Sequence, residues 1–257
     1  MSTAAPPDRP PERPDDERSE RYLTLVEHLQ ELRRRLIICA VAIVAGLAVS
    51  AFFTDDLLRF MKEPAEHRRE DFTLVFLEPF ESFVTYFKIA LMGSLVIAMP
   101  VIVYQVLAFV APGLKPNEKR WLYGTVFGAT LLFLAGVAFS YYVALPPALG
   151  FLLNFQDDIA QPQIRLGSYF DFVIRLLFWT GVSFETPLVV MFLGRFGIVT
   201  ASKLIGWWRY AIVGAFVVAA VVTPTPDPVT CTVVAVPLIA LYFLGVVLAF
   251  IVQPRGS

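Results

Sequence analysis

The chain has 257 residues, of which 57% are hydrophobic and only 17% charged, and its mean hydropathy is +0.65. A soluble chain carries roughly 45–50% apolar and about 25% charged residues. This one has too few charges to coat a water-facing surface, so the bilayer must be its solvent. The net charge of −1 excludes nucleic acid as a bulk partner. The two histidines (His28, His67) and two cysteines (Cys39, Cys231) show no metal-ligand spacing, and no metal, cofactor or disulfide is expected.

Residues 1–20 are Pro-rich and charged, without the apolar core of a signal peptide, and are predicted to form a disordered tail. A membrane domain over 21–252 follows, then a short tail at 253–257. The fold class is all-α: strands with unpaired edges cannot face lipid. About 20 apolar residues cross the bilayer, which predicts six spans near 36–54, 83–110, 122–145, 169–193, 210–223 and 231–252. Pro146-Pro147 is read as the exit of the third span, and Pro100 and Pro187 as possible kink sites. The fifth span has 14 residues, about 21 Å of helix, and either thins the bilayer or lies behind its neighbours. Lys and Arg counts place both termini in the cytoplasm: 14 of the 21 fall on the inner side in that orientation.

Several polar residues stand out. In YLTLVEHLQELRRRL, Leu25, Leu29, Leu32 and Leu36 form one helical stripe, while Glu27, Glu31 and Arg35 share another face. This helix is expected to lie along the inner interface and feed the first span, with Arg33-Arg34-Arg35 on lipid phosphates. The same spacing also fits a solvated face with an ordinary Glu31–Arg35 pair, the reading that periodicity alone favours. In VYQVLAFVAPGLKPNEKR, Pro112-Gly113 ends the second helix and Phe109 sits at the inner boundary. Asn117 could cap the next helix, with Glu118 in its first turn. Lys88 lies near the outer end of the second span, where it can snorkel. Glu185 has nine uncharged residues on each side. A charge at mid-bilayer costs roughly 2.5–3.5 kcal/mol on insertion scales, so Glu185 either faces a polar groove or bonds another span.

Taken in order, HLQELRRR, FLEPFESFVTYFKIAL, PVIVYQVLAFVAPGLKPNEKR, GVSFETPLVV and VVTPTPDPVT resemble the TatC family, the multispan receptor component of the twin-arginine protein translocase. The resemblance runs from about Leu25 to Val252. It implies six spans with inner termini and short fifth and sixth helices, in a bacterial or archaeal cytoplasmic membrane. It also implies that Glu31 and Glu118, with Arg33 and Phe109, bind the twin-arginine signal peptide of folded precursors. Glu185 then matches the intramembrane glutamate that meets a signal peptide or a partner helix, and Asp227 matches the aspartate of the outer TPPDP turn, here one residue longer. Lys88 joins Glu185 as an intramembrane polar position. The implied partners are the single-span TatA and TatB subunits and further copies of the chain, and the driving force is the proton-motive force. No GxxxxGK[ST] motif and no catalytic cluster is present, so an enzyme is not expected. The alternative is a proton-coupled small-molecule transporter with Glu185 as its titrating group, which would need a central polar cavity.

Overall fold

The structure is a computed structural model that describes residues 14–69, 72–110, 119–154, 164–195, 199–223 and 228–252. Among these residues, five helical segments are long and apolar enough to cross a membrane, and a further apolar helix is shorter.

The first helix, α1 (Pro14–Ala51), is a single rod of 38 residues. It opens ahead of the predicted start at 21, and Pro14 suits a first helical position. The separate interfacial helix expected from the leucine stripe is not what forms. Nothing between Tyr22 and Ala45 breaks a helix, so the HLQELRRR turns continue the rod, which reaches about 57 Å. Only 11% of its apolar window is buried, against 50% for the span Leu166–Arg195. α1 therefore packs along the outside, mainly against α3 (Glu81–Val110). The two backbones approach closely at small residues. A Cβ on Gly46 would stand 2.9 Å from the Ser94 carbonyl oxygen, and Ser94 Oγ donates to the Ile43 carbonyl at 2.6 Å.

The 55–82 connection holds a helix that the run of apolar spans does not announce, α2 (Thr54–Glu66), followed by the two-residue strand β1 (Leu74–Val75). Asp55 and Asp56 in its first turn complement its dipole. Leu57, Met61 and Ala65, four residues apart, turn toward the core, and the last two are buried. Pro64 inside α2 has no N–H to give the Phe60 carbonyl. Tyr141 Oη replaces it, donating to Phe60 O at 2.7 Å, and Tyr169 Oη donates to Met61 O at 2.8 Å. Two aromatic hydroxyls thus tie α2 to the bundle.

The third span is α4 (Lys119–Phe139), one wide turn (Ser140–Ala144) and α5 (Leu145–Asn154). Pro146-Pro147 does not end it. The wide turn, closed by Leu145 N–H on Ser140 O, restarts the helix at Leu145. The prolines then occupy its first turn, where no intrahelical N–H is required.

Strand β2 (Ile164–Arg165) pairs in parallel with β1, Leu74 opposite Ile164 and Val75 opposite Arg165. The fourth span is split into α6 (Leu166–Ser183) and α7 (Thr186–Arg195). Pro187 explains the break, since it cannot donate to Ser183. Pro100, by contrast, lies inside an unbroken α3. A short α8 (Ala201–Gly206) leads to α9 (Trp208–Val222), whose 15 residues span about 22 Å. The last helix, α10 (Pro228–Val252), has 25 residues and is not short. Its apolar run is long enough to cross the core, and Pro237 does not interrupt it. The main core joins α2, α3, α5 and α6 through Met61, Ile89, Leu149, Tyr169, Phe170 and Leu176.

Candidate functional site

The α1 and α3 ends carrying Glu31 and Phe109 lie together. Arg35 bonds Glu31 Oε1 through Nε at 3.0 Å and Nη2 at 2.5 Å, and its Nη1 reaches Gln105 Oε1 on α3 at 3.0 Å. The ordinary i,i+4 pair is therefore present, with the buried Gln105 added as its anchor on α3. Both Arg35 bonds fall on one oxygen. Oε2 of Glu31 makes no hydrogen bond among the described residues, and 36% of the side chain is exposed. One turn away, the His28 ring stacks on Phe109 with centroids 4.5 Å apart. The Tyr104 and Tyr123 rings, 6.2 Å apart, bring the start of α4 to this same end. Arg33 and Arg34 are exposed. Glu118 and Asp227 lie outside the described residues.

Glu185 follows the last residue of α6 by two positions. Its N–H bonds Val182 O at 3.0 Å, and its carbonyl accepts from Leu188 at 3.0 Å and Val189 at 3.1 Å, so its backbone caps α7. The side chain borders a cleft of about 340 Å³ between α3, α4 and α7. Met99, Ile102, Val103, Ala129 and Phe192 help line it, and Glu185 is its sole ionisable lining residue among those described. Oε1 is buried without a hydrogen-bond partner among the described residues. Of the two possibilities read from sequence, the bond to another span does not form at this oxygen. The transporter alternative also loses support: the cleft around Glu185 is apolar, whereas that reading needs a cavity with several polar walls.

Lys88 does not merely snorkel. Its Nζ bonds both Asp171 oxygens on α6, at 2.7 and 2.9 Å. Above it, Glu81 is buried and accepts from Leu77 N–H at 3.0 Å, Gly167 N–H at 2.7 Å and Arg165 Nε at 2.8 Å. Arg165 Nη2 also reaches Glu78 at 2.9 Å. These hydrogen bonds, to Glu81 first and then Glu78, hold the Arg165 guanidinium above its ordinary pKa. Sequence reasoning does not single out Gln105, Asp171 or Glu81. Asp171 has a signal: it and Lys88 are opposite charges near the same end of two spans. Among the described residues no cluster of His, Cys, Asp or Glu could hold a metal.

The chain is similar to proteins of known kind along most of its length. The family described as Sec-independent protein translocase protein (TatC) matches residues 27–237. A chloroplastic Sec-independent protein translocase protein TATC of Arabidopsis thaliana is 39% identical, over 93% of this chain and 74% of its own length. The chloroplastic relative from Pisum sativum is 37% identical, and the chain spans 64% of it. The TatC of Koribacter versatilis is 39% identical over 91% of this chain and 88% of its own. A crystal structure of the twin-arginine translocase receptor TatC superposes with a TM-score of 0.76 at 35% identity, covering 88% of this chain and 99% of that one. With motifs, helix order and overall shape in agreement, this membrane protein belongs to the TatC family of Sec-independent protein translocases.

Proposed function

We propose that the chain is the receptor of a twin-arginine translocation system and that it grips the signal peptide of folded precursors at the Glu31 end. The supporting observation is Glu31 Oε2, without a hydrogen bond among the described residues and partly exposed beside an arginine that already shows how the other oxygen holds a guanidinium. Guanidinium forks suit carboxylates, at roughly twice the strength of neutral hydrogen bonds. Glu118 precedes the first residue of α4, whose start lies at this end, and supplies the second carboxylate. Phe109 offers an apolar face, and the exposed Arg33 lies two residues from Glu31 on α1. Lys and Arg distribution makes this the cytoplasmic side, with both termini there, in a bacterial or archaeal inner membrane. TatA and TatB single spans and further copies of the chain assemble on it, with Glu185 receiving a polar group of a partner helix and Lys88 steadying the span beside it. Asp227 belongs to the outer turn between the last two spans, and the proton-motive force drives export. The family is one of translocase components, not enzymes.

Site-specific crosslinking of an Arg-Arg signal peptide tests the assignment. Glu31→Ala or Glu118→Ala abolishes the crosslink while the protein stays in the membrane. Normal crosslinking in both variants removes the proposed site.

A further inference from the structure

A second cleft, of about 360 Å³, opens between α3 and α6 toward the β1–β2 end. Asp171, Arg175 and Trp179 recur every four residues and form one line down α6, and Lys88 faces them from α3. Lys88 holds both Asp171 oxygens, at 2.7 and 2.9 Å, so those two charges cancel. Arg175 is exposed and makes no ion pair among the described residues. The cleft is left with one positive charge.

That charge lies deep. Arg175 is nine residues past Leu166, where the span begins, or about 14 Å along the helix. An unpaired guanidinium facing hydrocarbon there is unfavourable. Helical side chains slant toward their own N-terminus, which for α6 is the β2 end. Arg175 thus reaches back toward Lys88 and the headgroup level. Leu91, Leu95, Phe178 and Trp179, the last 47% exposed, line the deeper part and give the cleft an apolar wall below the charges.

We infer that this cleft binds one anionic phospholipid. The phosphodiester takes charge-assisted hydrogen bonds from Arg175, and an acyl chain lies along Leu91, Leu95 and Trp179. The charge decides the occupant. One surplus positive charge matches the single negative charge of phosphatidylglycerol, whereas a choline headgroup would bring its own cation to Arg175 and Lys88. A soluble phosphate offers nothing to the apolar wall. The inference is independent of the signal-peptide reading and of which leaflet the β1–β2 end faces.

Native mass spectrometry of the full chain, released from mixed phosphatidylglycerol and phosphatidylcholine bilayers, tests it. One phosphatidylglycerol is retained in preference to phosphatidylcholine. Arg175→Gln lowers its retention about fivefold, the worth of one basic residue near an anionic surface. Arg175→Lys keeps most of it. Asp171→Asn, which releases the Lys88 charge, raises it by a similar factor. Equal retention in wild type and Arg175→Gln overturns the inference, as does weaker retention in Asp171→Asn. Displacement by millimolar glycerol phosphate would reassign the cleft to a soluble phosphate and overturn the lipid. Should Arg175→Gln fail to fold, the contrast between Arg175→Lys and Asp171→Asn decides the matter.

Discussion

Glu81 and Glu185 are both acidic residues beside helix starts in an apolar chain, yet their surroundings are opposite. Glu81 accepts two backbone N–H groups and an arginine, and these bonds join α3, the loop before it and the start of α6. Glu185 keeps one buried oxygen with no partner among the described residues, in a cleft of hydrocarbon side chains. A carboxylate whose bonds are filled holds a structure together. One with an oxygen left unbonded can still accept a hydrogen bond from a group that arrives later, and the fold tolerates its desolvation meanwhile.

The contrast can be broken by stability measurements in detergent. Glu81→Ala should give the largest fall in melting temperature, because two N–H groups and Arg165 lose their acceptor together. Glu81→Gln should recover part of it through the remaining amide oxygen. An unchanged melting curve for Glu81→Ala would end the comparison. Gly46→Val should follow, at about 1–3 kcal/mol for overpacking, since its side chain meets the Ser94 backbone rather than a movable tip. The loosened α1–α3 crossing should then admit protease along α1, and wild-type resistance in the variant would show that the crossing is not tight. Tyr141→Phe should cost about 1–3 kcal/mol by orphaning the Phe60 carbonyl. Adding Pro64→Ala restores an N–H to that carbonyl, so the double variant should lose less than the two single effects combined. Strict additivity would show that the hydroxyl does something else. Glu185→Gln should change stability least, within about 0.5 kcal/mol, while export of a twin-arginine precursor falls at least about tenfold, as a lost transition of roughly 1.4 kcal/mol would give. A large drop in melting temperature would make Glu185 a structural residue like Glu81.

The spans were legible because each is a long uncharged run, and hydrocarbon leaves the chain no alternative to helix. The α6–α7 break was foreshadowed by Pro187, and the short α9 by its own length. Pro146-Pro147 misled because a wide turn just before them resets the hydrogen-bond register, an event with no mark in composition. α2 could have been found from Leu57, Met61 and Ala65 at helical spacing behind two acids. The Glu31 end was legible in part: Glu31 and Arg35 share a helix face by spacing alone. Gln105 lies 70 residues from Arg35, and only the packing of α1 on α3 brings them together. Glu81 shows the same limit, because its partners come from a loop before it and a strand more than 80 residues after it.

The unbroken α1 has a mechanical meaning. Its tight crossing with α3 at Gly46 and Ser94 acts as a fulcrum, and Glu31 lies fifteen residues, or about 22 Å, along the arm. A tilt of about 5° would swing that carboxylate by about 2 Å over such a length, enough to open or close one hydrogen bond, so if Glu31 binds as proposed, a rigid lever would carry that event toward the crossing without any segment unfolding.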